Sequence, residues 1–176
     1  MSEERKSSHP CVVKCGTDEE MLDEAFRRAD SMATAMDSSR CDVAVIVFSD
    51  ELLAKAASIA KSHNKPVEIP KQRGDIEVIR RAQQTKRFVV TTPDFVGGLE
   101  FQGVVLVGVD EGRVPPSRTT DSIESSNFLS YAAHNRLYVA ITRAKYRVEI
   151  LVAAERGPSS LLLRAIDSKL LTECLS

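Results

Sequence analysis

Apolar residues in this chain fall into short runs that alternate with segments in which apolar residues recur every three or four positions. The clearest runs are CVVKC at 11–15, DVAVIVF at 42–48 and GVVLVGV at 103–109. Runs rich in β-branched residues are typical of strands buried on both faces of a parallel sheet, and the periodic segments are typical of helices. Strands that alternate with helices predict an α/β fold, with a mainly parallel sheet flanked by helices.

Capping residues mark where several helices begin. Thr17 and Glu20 have the spacing of a capping box and predict a helix that continues to about Met36. Ser49 is in position to cap a second helix, which would end near His63. The other predicted elements are strands at 66–69, 87–92 and 148–153, a helix at 75–84 and a last helix after residue 153. Residues 113–127, rich in Ser, Thr and Pro, would form a long loop.

The segment from Phe128 to Lys145 carries two arginines in otherwise apolar surroundings. If the whole segment is helical, Arg136, Ala140 and Arg143 are spaced i, i+4 and i+7 and share one face. The arginines would then either extend their apolar stems over the core and end in water, or present planar, permanently charged groups to a phosphate. Spacing alone leaves both interpretations open.

Composition and charge narrow the class of protein. The 176 residues, 43% hydrophobic and 28% charged, are those of one soluble globular domain. Because 24 basic and 25 acidic residues give a formal charge of -1, any nucleic-acid contact must be local. The four cysteines form no CxxC pair and predict reduced thiols without a metal site. Residues 1–10 predict a disordered polar tail, and the chain lacks a leader or membrane-spanning pattern, which predicts an intracellular, cytoplasmic protein.

Two short motifs resemble those of superfamily 1 helicases. RLYVAITRAK, Arg136 to Lys145, resembles motif VI, and GLEF, Gly98 to Phe101, resembles the core of motif V in the UvrD/Rep branch. DVAVIVF stands where motif IV would be. The resemblance implies that residues 11–176 form the second RecA-like domain, a three-layer α/β sandwich, of an ATP-driven nucleic-acid motor. ATP and Mg²⁺ would be held mainly by a partner N-terminal RecA-like domain.

The same resemblance implies a role for each matching residue near ATP. Arg143 resembles the family's arginine finger, which stabilises charge on the γ-phosphate during transfer to water. Glu100 matches a glutamate that contacts the nucleotide sugar, Gly98 would let the backbone approach phosphates, and Arg136 matches the first arginine of motif VI. Phe48 stands where relatives place an aromatic ring against adenine. Each also has a structural interpretation, which for Phe48 is a core ring.

Nucleic-acid contact is implied for two residues before GLEF. Thr92 matches a threonine that touches the nucleic-acid backbone, and Asp94 occupies a position that is usually histidine in the UvrD branch. The chain departs from the family pattern at Asp94, at Gly97, where a lysine is usual, and at Ser49, where an arginine is usual. The implied ligand is single-stranded DNA, with RNA as the alternative.

The sequence contains no GxxxxGK[ST] motif, and therefore no loop that could cradle the β- and γ-phosphates. VVLVGVDE at 104–111 has the apolar-then-acidic order of a Walker B strand, but we reject that interpretation because a magnesium-holding aspartate without a phosphate loop has nothing to act on. Two hypotheses remain open. The chain is either the C-terminal motor domain of a helicase, inactive alone, or a degenerate RecA-like binding module without ATPase activity.

Overall fold

The computed structural model describes residues 10–117 and 123–174. Within these residues, seven strands form one sheet in the order β3-β4-β2-β5-β6-β1-β7, and every neighbouring pair is parallel. The strands are β1 (Cys11–Cys15), β2 (Val43–Val47), β3 (Val67–Glu68), β4 (Phe88–Thr91), β5 (Phe101–Val107), β6 (Ala144–Ala153) and β7 (Thr172–Cys174). The α-helices in the same ranges are α1 (Asp18–Ala35), α2 (Asp50–Ser62), α3 (Ile76–Thr85), α4 (Ile123–Ile141) and α5 (Ser160–Asp167).

The predicted caps start the first two helices. The Thr17 hydroxyl accepts a hydrogen bond from the Glu20 amide at 3.2 Å, and the Glu20 carboxylate accepts one from the Thr17 amide at 3.0 Å. The Ser49 hydroxyl accepts from the Leu52 amide at 3.1 Å. Each bond satisfies an amide that has no partner within its helix. The capping predictions are therefore confirmed, and the hydroxyl of Ser49 is committed to a structural contact.

Alternation along β2 divides the core between the two faces of the sheet. All five residues of β2 are fully buried; Val43, Val45 and Val47 point to one apolar cluster and Ala44 and Ile46 to the other. The first cluster contains the apolar faces of α1 and α2, and the second contains those of α4 and α5. Helices thus cover both faces, which confirms the predicted three-layer arrangement with a parallel sheet.

The end of the arginine-bearing helix differs from the prediction. Helix α4 begins at Ile123, inside the segment predicted as loop, and ends at Ile141; β6 begins at Ala144. The Phe101 amide donates to the Arg143 carbonyl at 2.9 Å, so pairing with β5 draws the chain out of the helix. Arg143 therefore lies in the turn between α4 and β6, and it does not share a helical face with Arg136.

Two smaller differences concern the ends of the chain. The three-residue strand β7, which the sequence pattern did not predict, pairs with β1 at the edge of the sheet. The predicted disordered tail lies outside the described residues, except for Pro10, whose carbonyl accepts from the Thr172 amide at 3.2 Å. No helix in the described ranges is both long and apolar enough to cross a bilayer.

Candidate nucleotide and nucleic-acid site

Two of the residues predicted to contact ATP, Glu100 and Arg143, meet where two adjacent strands begin. Glu100 immediately precedes β5, Arg143 immediately precedes β6, and Phe101 is paired with Ala144 at the first step of the ladder. Lys145 also forms an ion pair with Glu100, with Nζ 3.0 Å from Oε2. Parallel pairing of β5 with β6 therefore brings the GLEF and TRAK motifs together, although forty residues, 102–141, separate them.

The half-buried Arg143 side chain donates hydrogen bonds to neutral oxygens only. Its Nε donates to the Val139 carbonyl at 3.2 Å, and its two terminal nitrogens donate to the Leu99 carbonyl at 3.4 Å and to the Thr142 hydroxyl at 3.2 Å. No carboxylate among the described residues forms an ion pair with it. The guanidinium therefore stabilises the C-terminal end of α4. Its positive charge, however, is not compensated by a carboxylate of the described residues.

Gly98 lies in the loop between β4 and β5. Its φ of +85° lies in the region that residues with a Cβ rarely adopt, and a Cβ built there would meet nothing within 4 Å. Backbone conformation, rather than lack of space, therefore requires the glycine. The open surface above it and the uncompensated charge of Arg143 fit an anionic ligand such as a nucleotide. The described residues contain no cluster of His, Cys, Asp or Glu that could hold a metal ion.

Phe48 is not placed with this group. Its side chain is only 4% exposed and packs in the second core cluster. It follows β2 at the carboxyl end of the sheet, whereas Glu100 and Arg143 lie at the amino end, about 20 Å away along β5 at roughly 3.3 Å per residue. The structure supports the interpretation of Phe48 as a core ring, and in this conformation it is not available to an adenine base.

Thr92 and Asp94 follow β4 at the carboxyl end of the sheet. Thr92 is 2% exposed, and its carbonyl accepts from the amides of Phe95 and Val96 at 3.1 and 3.2 Å. Its hydroxyl is therefore not at the surface, as its structural interpretation of a strand end implies. Asp94 is exposed and extends to α4, where its Oδ2 lies 2.8 Å from an Nη of Arg136. The structure thus pairs a predicted nucleic-acid residue with a predicted nucleotide residue.

Sequence reasoning missed Arg73, which lies beside the same loop. A Cβ built on Gly97 would be 2.6 Å from Nε of Arg73, so the guanidinium occupies the space that a side chain at position 97 would need. A cation is therefore present where the resemblance leads one to expect a lysine at Gly97, but it comes from another segment. No sequence signal marks Arg73, because its position depends on how the segment before α3 packs.

Asp110, in the segment rejected as a Walker B strand, is fully buried after β5. Its Oδ2 accepts hydrogen bonds from Arg113 at 2.9 Å and from the Ala153 amide at 3.1 Å, and its Oδ1 has no partner among the described residues. Burial raises its pKa, although the Ala153 amide and Arg113 oppose the shift. Arg113 also contacts Asp18 at 3.1 Å, so Asp110 belongs to an internal charge network.

Comparison with known proteins shows similarity at the level of structure. No protein family and no curated protein matches the sequence. The C-terminal domain of a possible DNA helicase from Lactobacillus plantarum WCFS1 is 18% identical with a TM-score of 0.64, over 97% of this chain and 91% of that one. An XPD helicase is 14% identical with a TM-score of 0.56, over 97% of this chain and 36% of that one.

A third similar structure is Xpd4 of S. tokodaii, which is 15% identical with a TM-score of 0.51. The match covers 98% of this chain and 39% of that one, so the chain spans less than two fifths of either XPD structure. The chain has the RecA-like α/β fold found in helicase C-terminal domains, which confirms the predicted fold class. At these identities the similarity concerns the fold, and the site residues stay predictions.

Proposed function

We propose that residues 11–176 are the C-terminal motor domain of an ATP-dependent helicase of the UvrD/Rep type. The observation that carries the proposal is the meeting of Glu100 and Arg143 at the amino ends of adjacent strands, where Arg143 donates only to neutral oxygens. The RecA-like fold is consistent with this role. The partner is an N-terminal RecA-like domain that carries the phosphate-binding loop.

In the proposed mechanism this chain forms one wall of the ATP site. Arg143 rotates away from the carbonyls at the end of α4 and places its guanidinium against the γ-phosphate, where negative charge grows as the phosphoryl group moves to water. Glu100 accepts a hydrogen bond from the nucleotide sugar, and Gly98 allows close approach of the backbone. If the partner domain holds Mg²⁺, the ion would supply neutralisation of the phosphate charge.

The loop that follows β4 is proposed to contact nucleic acid. The loop that contains Thr92 and Asp94 would border a single strand of DNA, with RNA as the alternative, and contact by Thr92 would require the 92–96 turn to open. Because the chain has a formal charge of -1, binding by the isolated domain should be weak and strongly salt-dependent. Binding that is tight and insensitive to salt would contradict this part of the proposal.

The deciding experiment is Arg143→Ala in the protein that contains both RecA-like domains. We expect turnover to fall by roughly 10³ to 10⁵, as it does when other arginine fingers are removed, with ATP affinity close to wild type and only a modest loss of thermal stability from the three lost hydrogen bonds. The matched control is Arg164→Ala, on the exposed side of α5. A lower melting temperature with normal turnover per folded molecule would instead show that Arg143 is structural.

Two observations favour the second candidate, a degenerate RecA-like module that binds a partner or nucleic acid without an ATPase cycle. Three Arg143 donors already stabilise the end of α4 and the neighbouring loop, and Ser49, at the position of a usual motif IV arginine, caps α2. This candidate predicts that Arg143→Ala affects stability alone. It also predicts that no phosphate-binding loop occurs in the protein or complex to which the chain belongs.

A further inference from the structure

A shallow groove of about 220 Å³ lies between α4 and the loop that follows β4. Its polar lining comes from Arg73, Asp94, Asn135 and Arg136, and Gly97 forms part of its wall. Two guanidinium groups and one carboxylate leave one net positive charge in the groove, whereas the whole chain has a formal charge of -1. The groove therefore has a net positive charge, whereas the protein as a whole has a slightly negative one.

The contact between Asp94 and Arg136 uses only part of what the guanidinium offers. One carboxylate oxygen meets one terminal nitrogen at 2.8 Å, while Nε of Arg136 is buried and has no partner among the described residues. Asp94 itself is 59% exposed. A buried donor without an acceptor is unfavourable, whereas an oxyanion with several oxygens could bind two nitrogens of the fork after a change of rotamer.

Arg73 adds a second cation with no carboxylate partner in the described part of the chain. Its side chain is exposed and reaches across Gly97, where the absence of a Cβ leaves room for the guanidinium. Asn135, one residue before Arg136, lines the same groove and carries an amide that can donate a hydrogen bond. Two permanently charged forks and an amide are donors suited to a tetrahedral oxyanion.

We propose that Arg73 and Arg136 form a phosphate-binding subsite and that Asp94 is its internal competitor. In the unliganded protein the Asp94 carboxylate holds Arg136, and an entering phosphate group displaces it and takes the guanidinium in a bidentate contact. Asp94 thereby lowers the affinity for phosphate and selects ligands that also engage Arg73. The source of the phosphate, a nucleic-acid backbone or a nucleotide, rests on the proposed function; the subsite itself does not.

The test replaces Asp94 by asparagine in the 176-residue chain and measures polarisation of a fluorescein-labelled oligothymidine at low salt. We expect Asp94→Asn to bind about two- to fivefold more tightly than wild type, the gain that corresponds to removing one exposed ion pair. The control is Asp30→Asn, which breaks the exposed pair with Arg40 at 3.2 Å and changes the net charge by the same amount. It should leave affinity almost unchanged.

Second-site variants locate the gain. Asp94→Asn combined with Arg136→Gln, or with Arg73→Gln, should return affinity to the wild-type value or below. Because Arg73 is exposed, the Arg73→Gln variant tests the subsite even if loss of Arg136 disturbs α4. Asp94→Asn combined with Arg136→Lys should also lose the gain, since an ammonium keeps the charge but lacks the fork.

Parallel titrations with ATP and inorganic pyrophosphate identify the source. A gain with the oligonucleotide alone assigns the subsite to backbone phosphates, and a gain with ATP and pyrophosphate assigns it to a nucleotide. If Asp94→Asn behaves like Asp30→Asn with all three probes, or if its gain survives both arginine substitutions, the proposal is wrong. These assays do not involve Arg143, so their failure is distinguishable from failure of the motor proposal, which Arg143→Ala turnover decides.

Discussion

The arginines beside α1 and those beside α4 differ in how fully carboxylates compensate their charge. On the face covered by α1, Arg28 contacts Glu24 and, at 2.9 Å, Glu149, and both carboxylates have a further arginine partner. Burial alone would raise the pKa of Glu24, but hydrogen bonds from Arg27 and Arg28 lower it overall. Opposite charges therefore compensate one another, as buried ionised groups require.

On the face covered by α4, compensation is incomplete. Arg143 donates only to neutral oxygens, Arg136 meets a single oxygen of an exposed carboxylate, and Arg73 has no carboxylate partner among the described residues. Positive charge that no carboxylate compensates, beside open surface, remains available to an anion. The contrast fits ion pairs on the α1 side that stabilise the domain, and it supports the proposal that Arg73, Arg136 and Arg143 bind an anion.

The largest expected effect comes from a conservative change on the α4 side. In the protein with both RecA-like domains, Arg143→Lys should lower turnover by about as much as Arg143→Ala, roughly 10³-fold or more, because an ammonium cannot reproduce the planar fork. The measurement is kcat at saturating ATP, with the melting temperature of the same sample. Recovery of more than a small part of the turnover by lysine would mean that charge alone suffices.

On the α1 side, Arg28→Ala should change stability and leave chemistry intact. The side chain is 14% exposed and its partner Glu149 only 5%, so among the described residues the substitution leaves the buried Glu149 carboxylate paired only with Arg147. Removing one member of a buried ion pair costs about 3 kcal/mol of unfolding free energy, which urea denaturation of the isolated chain would measure. Turnover per folded two-domain molecule should not change. A loss of turnover would mean that Arg28 on the α1 side also affects catalysis, which would contradict the comparison.

Substitution of Asp18 tests the charge network in which Arg113 links Asp18 to Asp110. Burial would raise the Asp18 pKa, but hydrogen bonds from Lys55 at 2.8 Å and Arg113 at 3.1 Å lower it overall. A lowered carboxyl pKa stabilises the fold above its ordinary value of 3.8, and the contribution is lost as the pH falls through the lower folded value. Asp18→Asn should therefore cost about 1–2 kcal/mol at neutral pH.

The pH dependence supplies the control for that substitution. Urea denaturation at pH 7 and in acid should show that the difference between wild type and Asp18→Asn shrinks as the pH falls from 3.8 through the lower folded value, since the Asp18 carboxyl is then protonated in the folded protein as well. Asp30→Asn, at an exposed pair, should show a smaller difference at both pH values. A difference that stays constant into acid would mean that the carboxylate charge of Asp18 is not what stabilises the network.

Much of the fold could be predicted from short sequence patterns, because the contacts that satisfy these patterns lie within a few residues of them. The capping box of Thr17 and Glu20 and the cap at Ser49 operate within one helical turn, and the buried run at 42–48 allows little except a central strand. The predicted end of α4 was wrong because the segment AITRAK contains no Gly or Pro that would stop a helix. What ends it is the Phe101 amide, a partner about forty residues away.

The candidate site was predictable where the motifs are contiguous and not where packing assembles it. GLEF and TRAK located Glu100 and Arg143, and parallel pairing of β5 with β6 brought them together. The contact between Asp94 and Arg136 and the position of Arg73 over Gly97 depend on how the loops pack against α4. Burial of Phe48 likewise depends on tertiary packing, because an aromatic residue after a strand suits a core and a ligand site equally.

The smallest expected effect on stability is at Glu100. Its ion pair with Lys145 spans 3.0 Å, but the two side chains are 63% and 49% exposed, and exposed pairs contribute little. Glu100→Gln should change the unfolding free energy by less than about 0.5 kcal/mol, far less than Arg28→Ala. If Glu100 contacts the nucleotide sugar, the same variant should weaken ATP binding by the two-domain protein, measured by calorimetric titration beside urea denaturation. A clear loss of stability with unchanged ATP affinity would place Glu100 with the structural charges of the α1 side, and the contrast would then fail within the candidate nucleotide site itself.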